Sequence, residues 1–229
     1  MSGSDRGAPA SIAPARGVPE RTVLTGRYCS LEPLDATRHA PDLWRALAGH
    51  DHLWDYLMQP PFADEASFTA YVAEREARTD PLGYVVIDSG RGQAVGWASL
   101  MEIRPEHGVV EVGNVLFSPL LQRTRIATEA IALLAAYVFD GLGYRRFEWK
   151  CNALNAASRR AAQRFGFTFE GIFRQHMIVK GQNRDTAWFA MLDSEWPARR
   201  AAFTAWLDPG NFDAQGGQLR SLAAIRDSL

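Results

Sequence analysis

Residues 109–130 constrain the fold more than any other stretch of the chain. Positions 109–117 are dense in valine and end on Leu116 and Phe117, Pro119 then stops sheet pairing, and Ala127, Ala130, Ile131, Leu134 and Val138 recur at helical spacing. A strand therefore hands over directly to a helix N-terminus. The handover, residues 122–128, offers several backbone N–H groups without helical partners, the positive end of the helix dipole and two arginines, Arg123 and Arg125. Together these suit a pyrophosphate, and the guest they point to is a nucleotide-like cofactor. A helix N-terminus with surface arginines is common by itself, and it gains specificity only from the segments C-terminal to it.

Asn155-Ala156-Ala157-Ser158 opens a second helix that ends in Phe165-Gly166-Phe167, and Asn183-Arg184-Asp185-Thr186-Ala187-Trp188 precedes a last strand. With these segments in this order, the sequence resembles the GNAT superfamily of acyl-CoA-dependent N-acyltransferases, specifically its RimJ/RimL-like branch, over residues 20–197. The family's pyrophosphate loop reads Q/R-x-x-G-x-G/A. Here it is Gln122, Arg123, Thr124, Arg125, Ile126, Ala127, with Arg125 in place of the first glycine. Glycine there lets the backbone approach phosphates closely. An arginine either adds a charged contact or turns away and leaves the amides alone. The resemblance implies an α/β (α+β) GNAT fold, a mixed and mostly antiparallel sheet flanked by helices, whose central strands splay apart to admit a pantetheine arm. It also implies acetyl-CoA as cofactor.

The chain of 229 residues, 47% hydrophobic and 22% charged, fits one globular domain with a substantial core. We place that domain at 20–208, between a flexible Gly/Pro/Ala/Ser arm at 1–19 and a glycine-rich tail at 209–229. Lysine and arginine total 25 against 26 acidic residues. So even a balance gives no reason to expect nucleic acid or a membrane as partner. The longest apolar run, 131–139, is too short to cross a bilayer. Cys29 and Cys151 lie far apart without metal-ligand spacing and read as reduced core thiols, which with the lack of a signal-like h-region predicts a cytoplasmic protein.

Along the chain the pattern predicts a strand or short hairpin at 22–34, a helix at 40–49 with Pro41 in its first turn, and a helix from an Asp64 cap to Arg78. Antiparallel strands at 82–88 and 94–103 come next, then the strand and helix described above, a strand at 144–151 and a helix at 155–165. Strands at 167–179 and 186–192, joined by a charged linker at 180–185, lead to a closing helix at 194–207, through which two copies can associate as a homodimer. Between the first two helices, residues 50–57 mix aromatic and acidic side chains. Trp54 and Tyr56 are therefore candidates for contacting an amine-bearing ligand, though ordinary packing of a loop on the sheet explains them equally well. His50 and His52 lack companion ligands, so no metal is expected.

Acyl transfer from a thioester to an amine needs a held cofactor, a base for the amine proton and an acid for the departing thiolate. The resemblance assigns the backbone of Val115, Leu116 and Phe117 to the pantetheine amides, as an added strand. It assigns Gln122, Arg123, Thr124, Arg125, Ile126, Ala127 and Thr128 to the pyrophosphate. An asparagine placed like Asn155 contacts the pantetheine or pyrophosphate region in that family, and is equally an ordinary helix cap. Arg159 and Arg160, one turn in, can reach the 3′-phosphate of CoA or form a solvated helix face.

For the base, Glu111 resembles the strand glutamate that many GNAT enzymes use through a bridging water, and simple alternation puts it on one face with Gly113, Val115 and Phe117. For the acid, many members place a tyrosine seven residues after the asparagine. Here Ala162 stands there, and Ser158, which resembles a serine of RimL-like enzymes, is the candidate that remains on the same helix. Arg184 and Asp185 read as pocket rim or plain turn, and Asp185 can bind an amine. The acceptor is then a protein N-terminal α-amine, an aminoacyl nucleotide or a small amine. An α-amine, ionising near ~7.7–8.0, needs less help from a base than a lysine near ~10.4. The alternative is a non-catalytic acyl-CoA-binding or scaffold protein with the same fold.

Overall fold

The computed structural model describes residues 17–229, so positions 1–16 of the expected arm lie outside the described residues. The elements are β1 (Leu24–Thr25), β2 (Cys29–Pro33), α1 (Ala36–Leu47), α2 (Glu65–Glu76), β3 (Leu82–Asp88), β4 (Gln93–Arg104) and β5 (Val109–Phe117). Then come α3 (Arg125–Ala136), β6 (Arg146–Asn152), α4 (Ala156–Arg164), β7 (Thr168–Val179), β8 (Gln182–Leu192), α5 (Trp196–Leu207) and α6 (Leu222–Arg226). The strands form one sheet in the order β1-β2-β3-β4-β5-β6-β8-β7. Every neighbouring pair is antiparallel except β5–β6, which is parallel. This is the mixed, helix-flanked sheet that the resemblance implied.

Two local features of β5 open the site. It pairs with β6 only through Val109, Val110 and Glu111 against Arg146, Phe147 and Glu148, and beyond that the strands part. On its other side, the register with β4 steps from Ser99↔Gly113 to Trp97↔Leu116, so β5 carries one extra residue, where Asn114 adopts a left-handed φ of 49°. Such a bulge reverses the alternation of side chains past it. Val110 and Val112 join the core beneath α3, Val115 and Phe117 pack on that same core, and Leu116 joins the core beneath α1 and α2. Glu111 and Gly113 therefore face away from Val115 and Phe117. The single shared face expected from strict alternation is corrected by the bulge.

The larger core lies between the sheet and α3, α4 and α5, with Tyr84, Leu100, Ile131, Leu134, Phe147 and Phe189 buried in it. The smaller one, on the opposite face under α1 and α2, holds Leu43, Phe68, Val72 and Trp97. α1 begins earlier than Pro41 suggested, because the Asp35 carboxylate accepts from Arg38 N at 2.9 Å and caps it there. Pro41 thus lies inside the helix. α2 is capped as expected by Asp64, which accepts from Ser67 N at 2.7 Å. β8 starts at Gln182, so the linker is reduced to Lys180 and Gly181. α5 buries Trp196, Phe203 and Trp206 within this chain, which leaves those residues no face for a second copy.

Residues 209–229 fold back onto α5. Leu222 and Ile225 enter the larger core, Trp206 Nε1 donates to Gln218 Oε1 at 2.8 Å, and Asn211 Nδ2 donates to the carbonyls of Trp206 and Arg220. The N-terminal hairpin is held from the other side. The buried carboxylate of Glu129 on α3 accepts from the amides of Arg27, Tyr28 and Cys29 at 2.8, 2.6 and 2.8 Å. Among the described residues no helix is long and apolar enough to cross a membrane.

Candidate active site

Where β5 and β6 separate, a cavity of about 1620 Å³ runs from the N-terminus of α3 to a cluster of charged and aromatic side chains on the other face of the sheet. A single small ligand usually occupies roughly 300–1,000 Å³, so this space holds more than one.

At the helix end, Ser118 Oγ donates to Val95 O at 2.6 Å and fixes the start of the loop. Thr124 caps α3 by accepting from Ala127 N at 3.2 Å. Arg123 takes a left-handed φ of 61°, turning the chain so that the amides of Arg123, Arg125 and Ile126 keep no acceptor among the described residues. Gln122, Arg123, Thr124, Arg125, Ala127 and Thr128 line the cavity. The Ile126 side chain does not, because it packs on the core and leaves only its amide to the site. Arg125 turns toward the C-terminal segment, its guanidinium lying between the rings of Tyr28 and Phe212 at 4.9 and 4.6 Å. It therefore contributes its amide at the mouth of the loop while its charge stacks on the wall.

Val115, Leu116 and Phe117 border the gap left by the parting strands. Asn155 combines both roles open to it, accepting from Ser158 N at 3.0 Å as the cap of α4 and lining the cavity. Of the next two arginines, Arg160 lines the cavity. Arg159 turns outward, with Nη1 donating to Ala153 O at 3.3 Å and the guanidinium over Phe169. The cation that sequence reasoning missed is Arg164, which lines the cavity, donates to Thr128 Oγ1 at 3.0 Å and stacks on Trp206. Its place four residues after Arg160 on one helix face was the available signal.

At the other end Glu111, 6% exposed, receives Lys150 Nζ at 2.8 Å. Lys150 also stands 3.0 Å from Glu148 and 4.3 Å from the centre of the Trp188 ring. Glu148 is held in turn by Arg104 and Arg146, both at 2.7 Å. Burial pushes the Glu111 carboxyl up to about 7 against the opposing pull of the Lys150 ammonium. A carboxyl at that value exchanges its proton at neutral pH, as a general base must.

Between the two ends, Ser158 Oγ accepts from Trp149 Nε1 at 2.9 Å, leaving its own hydrogen to donate. Ala162 is wholly buried. Cys151 lines the cavity, so it is not only the core thiol expected. Burial raises its pKa, which keeps it a thiol and no nucleophile.

The expected acceptor contacts divide. Tyr56 lines the cavity, and its hydroxyl donates to Leu154 O at 3.3 Å across the mouth. Trp54 does not, since it is core, packed against Phe62, Tyr71 and Trp97. Asp185 lies outside as well, pinning the bulged turn of β7 by accepting from Gln175 N at 2.7 Å and from Asn183 Nδ2. Because 184 and 185 belong to a strand and not to a loop, their side chains alternate, and it is Arg184 that enters the cavity. Lys150 and Trp188 were readable in principle, as polar or amphipathic members of strands that alternate with buried Phe147, Trp149 and Phe189.

A buried carboxyl with its pKa raised to about 7, a hydroxyl oriented as donor and a helix end with free amides thus share one cavity. That arrangement can hold a long phosphorylated cofactor and move a proton at its far end. The profile of the acetyltransferase (GNAT) domain family matches residues 30–168, more than half of the chain. Among solved structures, a GCN5-related N-acetyltransferase from Brucella melitensis is 48% identical, with 94% of this chain and 98% of that one aligned at a TM-score of 0.92. A probable acetyltransferase of the GNAT family from Chromobacterium violaceum is 45% identical over 86% of this chain and 98% of its own, with a TM-score of 0.77. The uncharacterized N-acetyltransferase YoaA of Bacillus subtilis (strain 168) is 30% identical over 94 residues, 41% of this chain; the match spans about half of that relative, 52%.

Proposed function

Because this chain belongs to the GNAT acetyltransferase family, we propose that it moves the acetyl group of acetyl-CoA to a primary amine by direct attack, with both substrates bound together. The observation that carries this reading is the parting of β5 and β6 just past Glu111 and Glu148, which joins the free amides of α3 and the Glu111 carboxylate in one cavity. Acetyl-CoA bound there supplies the thioester-activated acetyl group.

The residues of the chain do the rest. The amides of Arg123, Arg125 and Ile126, with the side chains of Arg123, Arg160 and Arg164, receive the phosphates. The free edge at Val115, Leu116 and Phe117 receives the pantetheine amides, beside Asn155. Glu111 takes the proton of the attacking amine, directly or through one water. The ammonium of Lys150 favours the ionised form of Glu111, against burial and the neighbouring Glu148. Ser158, its oxygen engaged by Trp149, offers its hydrogen to the departing thiolate sulfur. That serine, in a chain with Ala162 where many members carry tyrosine, supports the RimJ/RimL-like branch. Two buried free cysteines suit a reducing cytoplasm.

Release of free CoA thiol from acetyl-CoA in the presence of N-terminal peptides, aminoacyl analogues, polyamines and amino acids tests the proposal. Turnover with one class supports it. The buried Ala162 favours one other reading, a non-catalytic acyl-CoA binder, and binding of acetyl-CoA without turnover of any amine would establish that reading instead.

A further inference from the structure

Resting on the transferase reading, we infer that the acceptor is a small amine that also carries a carboxylate, which the Arg184 guanidinium holds while the amine meets Glu111. Arg184 and Trp188 project from the same face of β8 into the acceptor half of the cavity. Both Arg184 Nε and Trp188 Nε1 are buried and have no hydrogen-bond partner. The Arg184 guanidinium makes no hydrogen bond or ion pair among the described residues, whereas Arg104 on β4 and Arg146 on β6 each engage Glu148.

A largely buried guanidinium without a counter-ion is costly unless a ligand completes it. A carboxylate does so, because a guanidinium presents parallel N–H groups that match its two oxygens. Lys150 is the weaker anchor for that anion, since two carboxylates, Glu111 and Glu148, already offset its charge. Burial lowers the Arg184 pKa and the nearby Glu111 carboxylate opposes that shift, so a guanidinium cation stands beside the group that receives the amine. One cavity thus presents an acidic and a basic anchor side by side, the complement of an amino acid. Met58, Met101, Met177 and Tyr56 add adaptable apolar surface for a side chain, beside the polar His52, Asp55, Glu102 and His176. A protein N-terminus and an aminoacyl nucleotide carry no free carboxylate beside the amine.

The test compares each of the common L-amino acids with its amide and its decarboxylated amine, by calorimetric binding to the CoA-saturated protein and by thiol release with acetyl-CoA. At least one amino acid should bind and react about tenfold or more better than its two analogues, the discrimination expected when a charged hydrogen bond is removed. In Arg184→Gln this ratio should collapse toward unity, and Arg184→Lys should recover part of it, while affinity for CoA stays within about twofold as a check on folding. Equal or better use of the uncharged analogues, or no amino acid binding at all, would overturn the inference even if amines are acetylated. Carboxylate-dependent binding without thiol release would uphold Arg184 as a carboxylate site and remove the transferase reading with its acceptor.

Discussion

The Glu111 carboxylate and the Lys150 ammonium meet at 2.8 Å at the point where β5 and β6 separate. Both are nearly buried, and burial outweighs the attraction of the pair, leaving the carboxyl at about 7. Below that value Glu111 is protonated and cannot take the amine proton. Activity should therefore fall as pH drops through about 7, with an inflection in kcat/KM that belongs to the free enzyme. Glu111→Gln should lower kcat/KM by about a hundredfold and abolish that inflection, leaving only ionisation of the amine itself. A variant that keeps both rate and inflection would dismiss Glu111 as the base.

Lys150 sets where the inflection falls. Its ammonium lowers the Glu111 pKa against burial and the neighbouring Glu148. Replacing it with the nearly isosteric methionine leaves Glu148 still held by Arg104 and Arg146, so the chief change is loss of that lowering. Lys150→Met should shift the acid limb to higher pH and reduce the rate at neutrality, with the plateau at high pH partly retained. A limb that does not move would show that the pair is structural only.

The order of elements and the lining of the helix end of the cavity were legible because they rest on local signals. Valine-rich runs, Pro119, the Thr124 and Asn155 caps and the spacing of α3 all act within a few residues. What escaped was whatever depended on a partner strand. The bulge at Asn114 has only the Gly113-Asn114 pair as its signature in β5, yet it decides that Val115 and Phe117 turn away from the face of Glu111. Trp54 looked like a ligand contact because an aromatic on a loop and an aromatic in a core are indistinguishable until Phe62, Tyr71 and Trp97 surround it. Arg184 was tied to Asp185 by a linker that proved to be strand, and alternation then separated the two.

Arg125, at a loop position that glycine normally occupies in the resembling family, joins the loop before α3 to the C-terminal segment through the rings of Tyr28 and Phe212. Two cation–π contacts of this partly exposed kind are worth about 1 kcal/mol together. Arg125→Ala should lower stability by about that amount and speed amide exchange around Phe212. It should also weaken CoA binding several-fold, because the wall of the phosphate end loses its tie. Exchange around Phe212 no faster than in the wild type would mean that the segment is held by Trp206, Asn211 and α6 alone.

Gly26 and Glu129 should prove energetically inseparable. A Cβ at Gly26 would lie 2.5–2.9 Å from the Glu129 carboxyl group. The end of a glutamate ordinarily swings aside at little cost, but this one is fixed by three backbone amides of the hairpin. Gly26→Ala should therefore destabilise by about 1–3 kcal/mol, the usual range for overpacking a fixed site. Glu129→Ala leaves three amides without their acceptor and should cost about 3 kcal/mol or more. With that carboxylate gone, a methyl group introduced at position 26 meets open space, so the double variant should be little worse than Glu129→Ala alone. Urea unfolding of the four proteins measures the coupling, and strict additivity would show that the close approach of Gly26 to Glu129 does not bear on stability.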